Sequence, residues 1–466
     1  MTILTPLGDP LNSSDSLFAI YCDSAYTYSD LYSRASFYAS LITPASISVL
    51  IGTNTVDSIA FYLACLSVNS PIILLPGNIT KSSFDSYLSS FLPSQIFGVT
   101  DESWLDGTHF SLSSTLYIAE GYRSEFPKTL PSLLLPTSGS TGSRKLVKVS
   151  SQNLAANTRS IIQYLSVEPT SRHICSLPLS YTYGLSCINT HVSVSASVVL
   201  NDLSIIDSQF WQLVEIWKPT TFSGVPYTYQ VLSRFPRDFL SALPFKQYTQ
   251  AGGKLSSSLV ELFHDVATSA GSEFIVMYGQ TEATARMSYV PSVSLPLKIG
   301  SIGIPIPGGS FSIDYTKNTP HINGLPTGEL LYSGPNVTHG YAFSTEDICL
   351  STNSPAALST GDIAYVDSDG YYYITGRLAR FAKVDGLRIS LDEIESCINS
   401  IDVACVSDDK YIYIFHSPSV SQSFILESIK LTSSLPSRFF RFISIDQIPR
   451  NESGKVLYAE LSTRAS

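Results

Sequence analysis

What the sequence has little of narrows its function before any motif is read. Charged residues make up only 14% of its 466 residues, and 38 acidic against 28 basic side chains leave a formal net charge of −10. Lys and Arg never cluster beyond a couple of residues, so the chain lacks the electropositive footprint of a nucleic-acid binder. No apolar run reaches the length of about 18 residues that a membrane-spanning helix needs. The start, MTILTPLGDPLNSSDSLFAI, has neither a basic n-region nor an apolar h-region, which predicts an unexported, cytoplasmic protein. The cysteines, Cys22, Cys65, Cys175, Cys187, Cys349, Cys397 and Cys405, are odd in number and widely spaced, with no C-x-x-C pair. Neither a disulfide framework nor a zinc site fits that spacing, and a reducing compartment does.

What is present reads as a globular α/β protein. Hydrophobic residues reach 44%, and Gly and Pro are spread along the chain. The length predicts about two to four structural units. From Tyr28 to Pro76 an amphipathic helical stretch, YSDLYSRASFYASLI, alternates with β-branched and apolar runs, ISVLIG and PIILLP. The rhythm continues through SLLLP, LAANTRSIIQYLSV, ASVVLN, FWQLVEIWK and TTFSGV. Strands separated by helices predict a mostly parallel, doubly wound sheet whose ligands lie at the carboxyl ends of the strands. After about Gly300 the pattern becomes short strands punctuated by Gly and Pro, with Asp369-Gly370 as a hairpin signal. This predicts a β-subdomain or small barrel over about 300–375. A boundary at Gly376 to Arg380 then separates an N-terminal domain, 1–377, from a small α+β domain, 378–466.

The segment SLLLPTSGSTGSRKLVKVS is an apolar strand followed by a loop holding Thr137, Ser138, Gly139, Ser140, Thr141 and Gly142 and ending in Lys145. Glycines let the backbone N–H groups nest around a polyphosphate, hydroxyls add donors, and the lysine neutralises charge. The spacing, G-x-x-G-x-x-K, is not that of a P-loop NTPase, which argues against a phosphotransferase. Alone, such a stretch also reads as an ordinary surface loop. Downstream stand LPLSYTYGLS, TTFSGVP, QAGGKL, YGQTEA, GELLYSGPNVTHGY, STGD, GRLARFAKVDGLRI and PRNESGKV, in that order. In this order they resemble the core motifs of the adenylate-forming superfamily of acyl-CoA synthetases, firefly-type luciferases and adenylation domains of nonribosomal peptide synthetases. The resemblance runs from Thr27 to the last ten residues.

The resemblance implies two doubly wound subdomains and a distorted barrel, followed by a small mobile domain carrying the catalytic lysine. It implies ATP and Mg²⁺ as cofactors, a small carboxylic acid as substrate, and CoA or a carrier protein's phosphopantetheine as acceptor. In YGQTEA, whose bland reading is a solvated turn, Tyr278 would stack on adenine beside Gly279 and Gln280, Thr281 would bond the α-phosphate, and Glu282 would hold Mg²⁺. Ala251, Gly252 and Gly253 would leave room for the purine and acyl group. Asp362, otherwise a plain cap, would grip both ribose hydroxyls, and Arg377, otherwise a surface charge, would add a second contact. Thr141 would act with Thr281, Glu282 and Lys455 in catalysis, the lysine stabilising charge that builds as a carboxylate attacks the α-phosphate. Gly386, in VDGLRI, would face the pantetheine tunnel in the thioester-forming step. Arg144, Leu146 and Ala379 depart from the usual residues. The first two leave backbone binding intact, while Ala379 removes the polar residue usual at the hinge, a place that Arg380 beside it could serve.

The acyl pocket is expected from Tyr181, Tyr183, Gly184 and Gly224, although pocket aromatics are also ordinary packing. Amino-acid-activating relatives carry an Asp in the stretch matching LPLSYTYGLS, and its absence here favours an acid without a free α-amino group. Three readings remain open: an acid:CoA ligase, a ligase that loads a carrier protein, and an inactive nucleotide-binding protein. The scarcity of Lys and Arg leans toward the carrier, because the 3′-phosphate of CoA usually wants basic neighbours. Lys455, Glu282 and Asp362 together speak against the inactive reading.

Overall fold

A computed structural model of the chain describes residues 2–99, 101–105, 110–113, 116–119, 131–136, 145–317, 324–349, 355–384, 387–398, 400, 402–408, 410–432, 437–450 and 456–465. Two large sheets dominate it. The eight-stranded sheet runs in the order Tyr341–Ala342, Leu146–Val149, Leu133–Pro136, Ile72–Pro76, Ser48–Gly52, Gln95–Phe97, Leu116–Ala119 and Phe110–Ser113. Its four central strands are parallel. All five residues of Ser48–Gly52 are buried, as expected of a strand covered on both faces. The nine-stranded sheet runs Ile304–Pro305, Ser288–Val290, Glu273–Tyr278, Gln247–Gln250, Thr221–Gly224, Arg172–Ile174, Ser197–Val199, Leu17–Tyr21 and Ser24–Thr27, with antiparallel strands at both edges.

The helices between these strands begin where the sequence supplies caps. Thr27 and Asp30 form a reciprocal capping box on Tyr28–Leu41, and Ser150 and Asn153 form another on Ser151–Leu165. The almost wholly apolar helix Val56–Ser67 buries nine of its residues between the two sheets' cores.

The segment from about 300 to 375 does not form the expected barrel. Among the described residues it gives an open, antiparallel four-stranded sheet, Ser310–Asp314, Gly328–Ser333, Leu358–Val366 and Tyr372–Arg377, whose two edge strands do not pair. Its flanking pieces go elsewhere: Ile304–Pro305 joins the nine-stranded sheet and Tyr341–Ala342 the eight-stranded one. Closure fails because the edge strand Tyr372–Arg377 is bridged instead by Gly303, through Tyr372. The Asp369-Gly370 hairpin is present, with Gly370 at φ +82° and the Asp367 carboxylate capping the turn.

Beyond Arg377, the hairpin Phe381–Val384/Leu387–Ser390 leads to a three-stranded sheet, Val403–Ser407, Ile412–His416 and Phe440–Ser444, with helices Leu391–Ile398, Gln422–Thr432 and Tyr458–Ala465. This unit has cores of its own on the two sheet faces, one around Ile394, Ile412 and Ile425, the other around Val406, Phe415 and Leu461. No described helix is long and apolar enough to cross a membrane.

Candidate nucleotide and acyl site

The motif YGQTEA leaves the carboxyl end of strand Glu273–Tyr278 and doubles back sharply. Thr284 and Ala285 both hold left-handed backbones, φ 54° and 93°, a conformation that strains residues bearing side chains. Three asparagine contacts hold the turn: Asn336 Nδ2 donates to the carbonyls of Ala283 at 2.8 Å and Arg286 at 3.0 Å, and Asn157 Nδ2 donates to Arg286 at 2.9 Å. The doubling back explains Gly279, where a Cβ would lie 1.8 Å from the Ala285 carbonyl oxygen.

At one pole of the site stands Asp362, 1% exposed, opposite Arg377 in the antiparallel register. Its Oδ1 accepts from Arg377 Nε at 2.9 Å, and its Oδ2 accepts from the Tyr278 hydroxyl at 2.5 Å and Gln280 Nε2 at 3.1 Å. Gln280 is itself anchored on the Thr360 carbonyl at 2.8 Å. Burial, and then the Asp362 charge, hold the Tyr278 phenol well above its usual range, so it remains a donor. A carboxylate offers about four lone-pair sites, and with three donors already on Asp362 about one is left, so a ribose using both hydroxyls would displace one of those donors.

The other pole is built around a residue that the motifs did not single out. Tyr341, paired with Val147 across the sheet, donates its hydroxyl to Glu282 Oε1 at 3.0 Å, while Lys145 Nζ sits 3.5 Å from the centre of its ring. The Thr338 N–H donates to the Glu282 carbonyl at 3.0 Å. A lysine and a carboxylate thus meet across one aromatic ring, an arrangement suited to a phosphate and its counter-cation. Among the described residues no cluster of three or more His, Cys, Asp or Glu can cage a metal. Glu282 would suit Mg²⁺, which takes one or two carboxylates beside phosphate and water ligands. Thr281 opens the turn Thr281–Ala283 between the two poles. Thr137, Ser138, Gly139, Ser140, Thr141, Gly142, Gly386 and Lys455 lie outside the described residues.

On the side expected to hold the acyl group, Gly252 has φ +89°, and a Cβ there would meet the Tyr181 hydroxyl at 2.6 Å. Gln250 Nε2 holds this turn by donating to the carbonyls of Ala251 at 3.2 Å and Gly253 at 2.9 Å. Tyr183 bonds Thr249 Oγ1 at 2.8 Å, and its ring lies 6.2 Å, edge-on, from that of Tyr181. Gly184 and Gly224 spend their missing side chains on the protein's own packing. A Cβ on Gly184 would fall 2.4 Å from the Pro178 carbonyl oxygen, and one on Gly224 would crowd Thr228 and Tyr229 at 2.9 Å. Past Arg377 the chain turns at Leu378–Arg380, where the Arg380 side chain pairs with Asp392, with Glu395 at 2.7 Å, and with the Tyr458 ring at 3.6 Å.

The model of the AMP-binding enzyme family matches residues 12–342. The chain belongs to the AMP-binding enzyme family. Among curated AMP-binding relatives, Probable CoA ligase CCL5 of Humulus lupulus is 27% identical over 363 residues, which are 73% of this chain and 64% of that protein. 4-Coumarate–CoA ligase-like 8 of Arabidopsis thaliana is 26% identical over 366 residues, with the same two shares, 73% and 64%. Peroxisomal OPC-8:0-CoA ligase 1 of Arabidopsis thaliana is 25% identical over 70% of this chain and 63% of that protein. The chain therefore spans just under two thirds of these relatives. The fold is that of ATP-bound MatB from Rhodopseudomonas palustris, with TM-score 0.80, 19% identity and coverage of 100% and 99%. It is also that of MenE from Bacillus subtilis in complex with the acyl-adenylate OSB-AMP, with TM-score 0.77, 20% identity and coverage of 96% and 95%.

Proposed function

We propose that this AMP-binding protein is an ATP-dependent acid:thiol ligase. A carboxylate oxygen of the substrate attacks the α-phosphorus of ATP, the bond to the β-phosphate oxygen breaks, and pyrophosphate leaves. A phosphopantetheine thiol, deprotonated, then attacks the acyl carbon and releases AMP. The observation that carries this reading is the two-pole geometry. Asp362, held by donors from Tyr278, Gln280 and Arg377, offers an acceptor to a ribose, while Lys145, Tyr341 and Glu282 make a mixed-charge seat for phosphates and a cation. ATP with Mg²⁺ is the ligand that joins those two chemistries. Mg²⁺ at Glu282 would offset the charge on the phosphates.

Lys455 is assigned the stabilisation of developing charge at the α-phosphate, with Thr281 and Thr141 as donors. Thr137, Ser138, Gly139, Ser140, Gly142 and Lys145 are assigned to the β- and γ-phosphates, Ala251, Gly252, Gly253 and Gly279 to the purine and its approach, Tyr181 and Tyr183 to the acyl wall, and Gly386 to the thiol's path. Domain 1–377 binds the substrates and domain 378–466 brings the lysine. The named activity of the relatives supports CoA as acceptor. A carrier protein is the second reading, favoured by only 28 Lys and Arg in the chain. The cytoplasm is the compartment most consistent with the sequence, and a peroxisomal matrix would serve the same chemistry. Measuring pyrophosphate release across aliphatic, aryl, hydroxy and amino acids tests the reading. Release of phosphate instead, or silence with every acid, would sink it.

A further inference from the structure

Four residues beyond Glu282, Arg286 carries a guanidinium to which the motifs give no task, and its burial is the anomaly. The residue is 2% exposed, yet among the described residues no carboxylate pairs with it. Its donors meet only neutral partners: Nη1 lies 2.9 Å from Met277 Sδ, Nη2 donates to Ser186 Oγ at 3.0 Å, and Nε has no hydrogen-bond partner. The guanidinium rests on the face of Tyr183, 3.8 Å from the ring centre. An arginine is charged at any pH a protein works at, and burying such a charge without an anion is costly. A merely structural cation in this position is better replaced by a neutral side chain.

The guanidinium lines an interior cavity of about 20 Å³, walled also by Ser186, His173, His191, Ser223 and Thr249. The wall is largely apolar, with Ile161, Leu165 and Val167 among its residues, and carries no negative charge. Burial, followed by electrostatic repulsion from Arg286, pulls the His173 imidazole down to about 3, and burial followed by His173 does the same to His191. Both rings are neutral, and Arg286 alone gives the cavity its charge. Tyr183 is the partition between this cavity and the acyl side: its hydroxyl bonds Thr249, which lines the cavity, and its ring faces Arg286 on one hand and Tyr181, the neighbour of Gly252, on the other.

We propose that Arg286 receives a second carboxylate at the far end of the acyl substrate, so that the preferred acids are diacids activated at one end and held by the guanidinium at the other. The inference rests on the ligase reading above and deepens it. A bidentate carboxylate would take up Nε, the donor now without a partner, together with a terminal N–H. The cavity has room for about one water molecule, so the carboxylate enters only as the Tyr183 partition shifts aside, and it arrives on a slender chain rather than as a second ring.

The experiment uses the purified full chain and pyrophosphate release with paired acids, each straight-chain diacid beside the monoacid of equal chain length, across a graded series. The wild type should favour the diacid at one length. Arg286→Met should lower the ratio of kcat/KM values, diacid over monoacid, by at least ~30-fold, with Arg286→Lys between the two. Thermal unfolding without substrate supplies a second readout: Arg286→Met should match or exceed the wild-type Tm, because an unpaired buried charge is removed. If monoacids evoke release and diacids are never preferred, the inference falls while the ligase reading stands. An Arg286→Met protein with a lowered Tm and an unchanged ratio would make the arginine structural and overturn the proposal. Silence with every acid would remove both readings.

Discussion

The Tyr278 hydroxyl donates to Asp362 Oδ2 at 2.5 Å, joining a strand end of the nine-stranded sheet to the middle of the four-stranded one. The carboxylate is the shared acceptor of both layers and of the proposed ribose contact. Asp362→Ala should therefore raise the KM for ATP and also destabilise the fold, by ~1.5–3 kcal/mol for the charged hydrogen bonds lost. Tyr278→Phe should cost less in stability and leave kcat closer to wild type. ATP titrations paired with denaturant melts check both, and an Asp362→Ala protein with unchanged ATP affinity would refute the ribose assignment.

Tyr341 offers a sharper test of the phosphate pole, because it orients Glu282 without being expected to touch the metal itself. Partners of this kind typically change metal affinity ~10–100-fold when removed. Tyr341→Phe should raise the Mg²⁺ concentration needed for half-maximal pyrophosphate release by ~10-fold or more, and Glu282→Gln should raise it further. A Mg²⁺ profile identical to wild type in both variants would separate this pair from the cation.

For Lys455→Ala the two half-reactions should part company. Adenylate formation should drop ~10²–10³-fold, the usual loss of one preorganised charge-stabilising donor, while thioester formation from a preformed acyl-adenylate survives. Single-turnover assays of each half-reaction measure this. An unchanged adenylation rate would take Lys455 out of the mechanism.

Acid should weaken the fold in a defined window. With His173 and His191 each held near 3 in the native protein, against about 6.5 when unfolded, the unfolded state binds more protons between those values. Stability from this pair is thus full above about pH 6.5 and declines as pH falls toward 3, by ~2 kcal/mol per ring at pH 5. Thermal melts at pH 7 and pH 5, with His173→Gln/His191→Gln as comparison, measure it: the double variant should show the flatter dependence.

Amino acids should be poor substrates beside their deaminated partners. No carboxylate stands in LPLSYTYGLS to meet an α-ammonium, and Arg286 beyond Tyr183 adds a like charge. Burying an unpaired ammonium commonly costs several kcal/mol, a preference of ~10²-fold or more for the hydroxy or simple acyl acid. Matched pairs at equal concentration decide it.

The residues that carried motifs were legible because their chemistry is local to a turn. Tyr278, Gln280, Asp362 and Arg377 were each placed by their own short string, and the fold brings them into one hydrogen-bonded group. Tyr341 stood inside a quoted motif and was still missed, since its role depends on Tyr341–Ala342 pairing with Leu146–Val149, a contact that no spacing encodes. Arg286 was hidden for the opposite reason: one basic residue after a motif looks like surface, and only burial among tyrosines reveals otherwise. The βα alternation gave the doubly wound sheets, whereas sheet closure depends on which edges meet. Glycine was ambiguous in the same way, for Gly252 faces Tyr181 while Gly184 and Gly224 serve packing inside the fold.

Arg377 and Arg380 stand three places apart and are held from opposite sides, the first by Asp362 in the four-stranded sheet, the second by Asp392 and Glu395 beyond the turn. Only Leu378 and Ala379 lie between the two anchors. Two residues supply four soft backbone dihedrals, so the C-terminal elements cannot wander on a leash. Any swing of those elements about the junction would have to fall on these few angles, which would give it few settings.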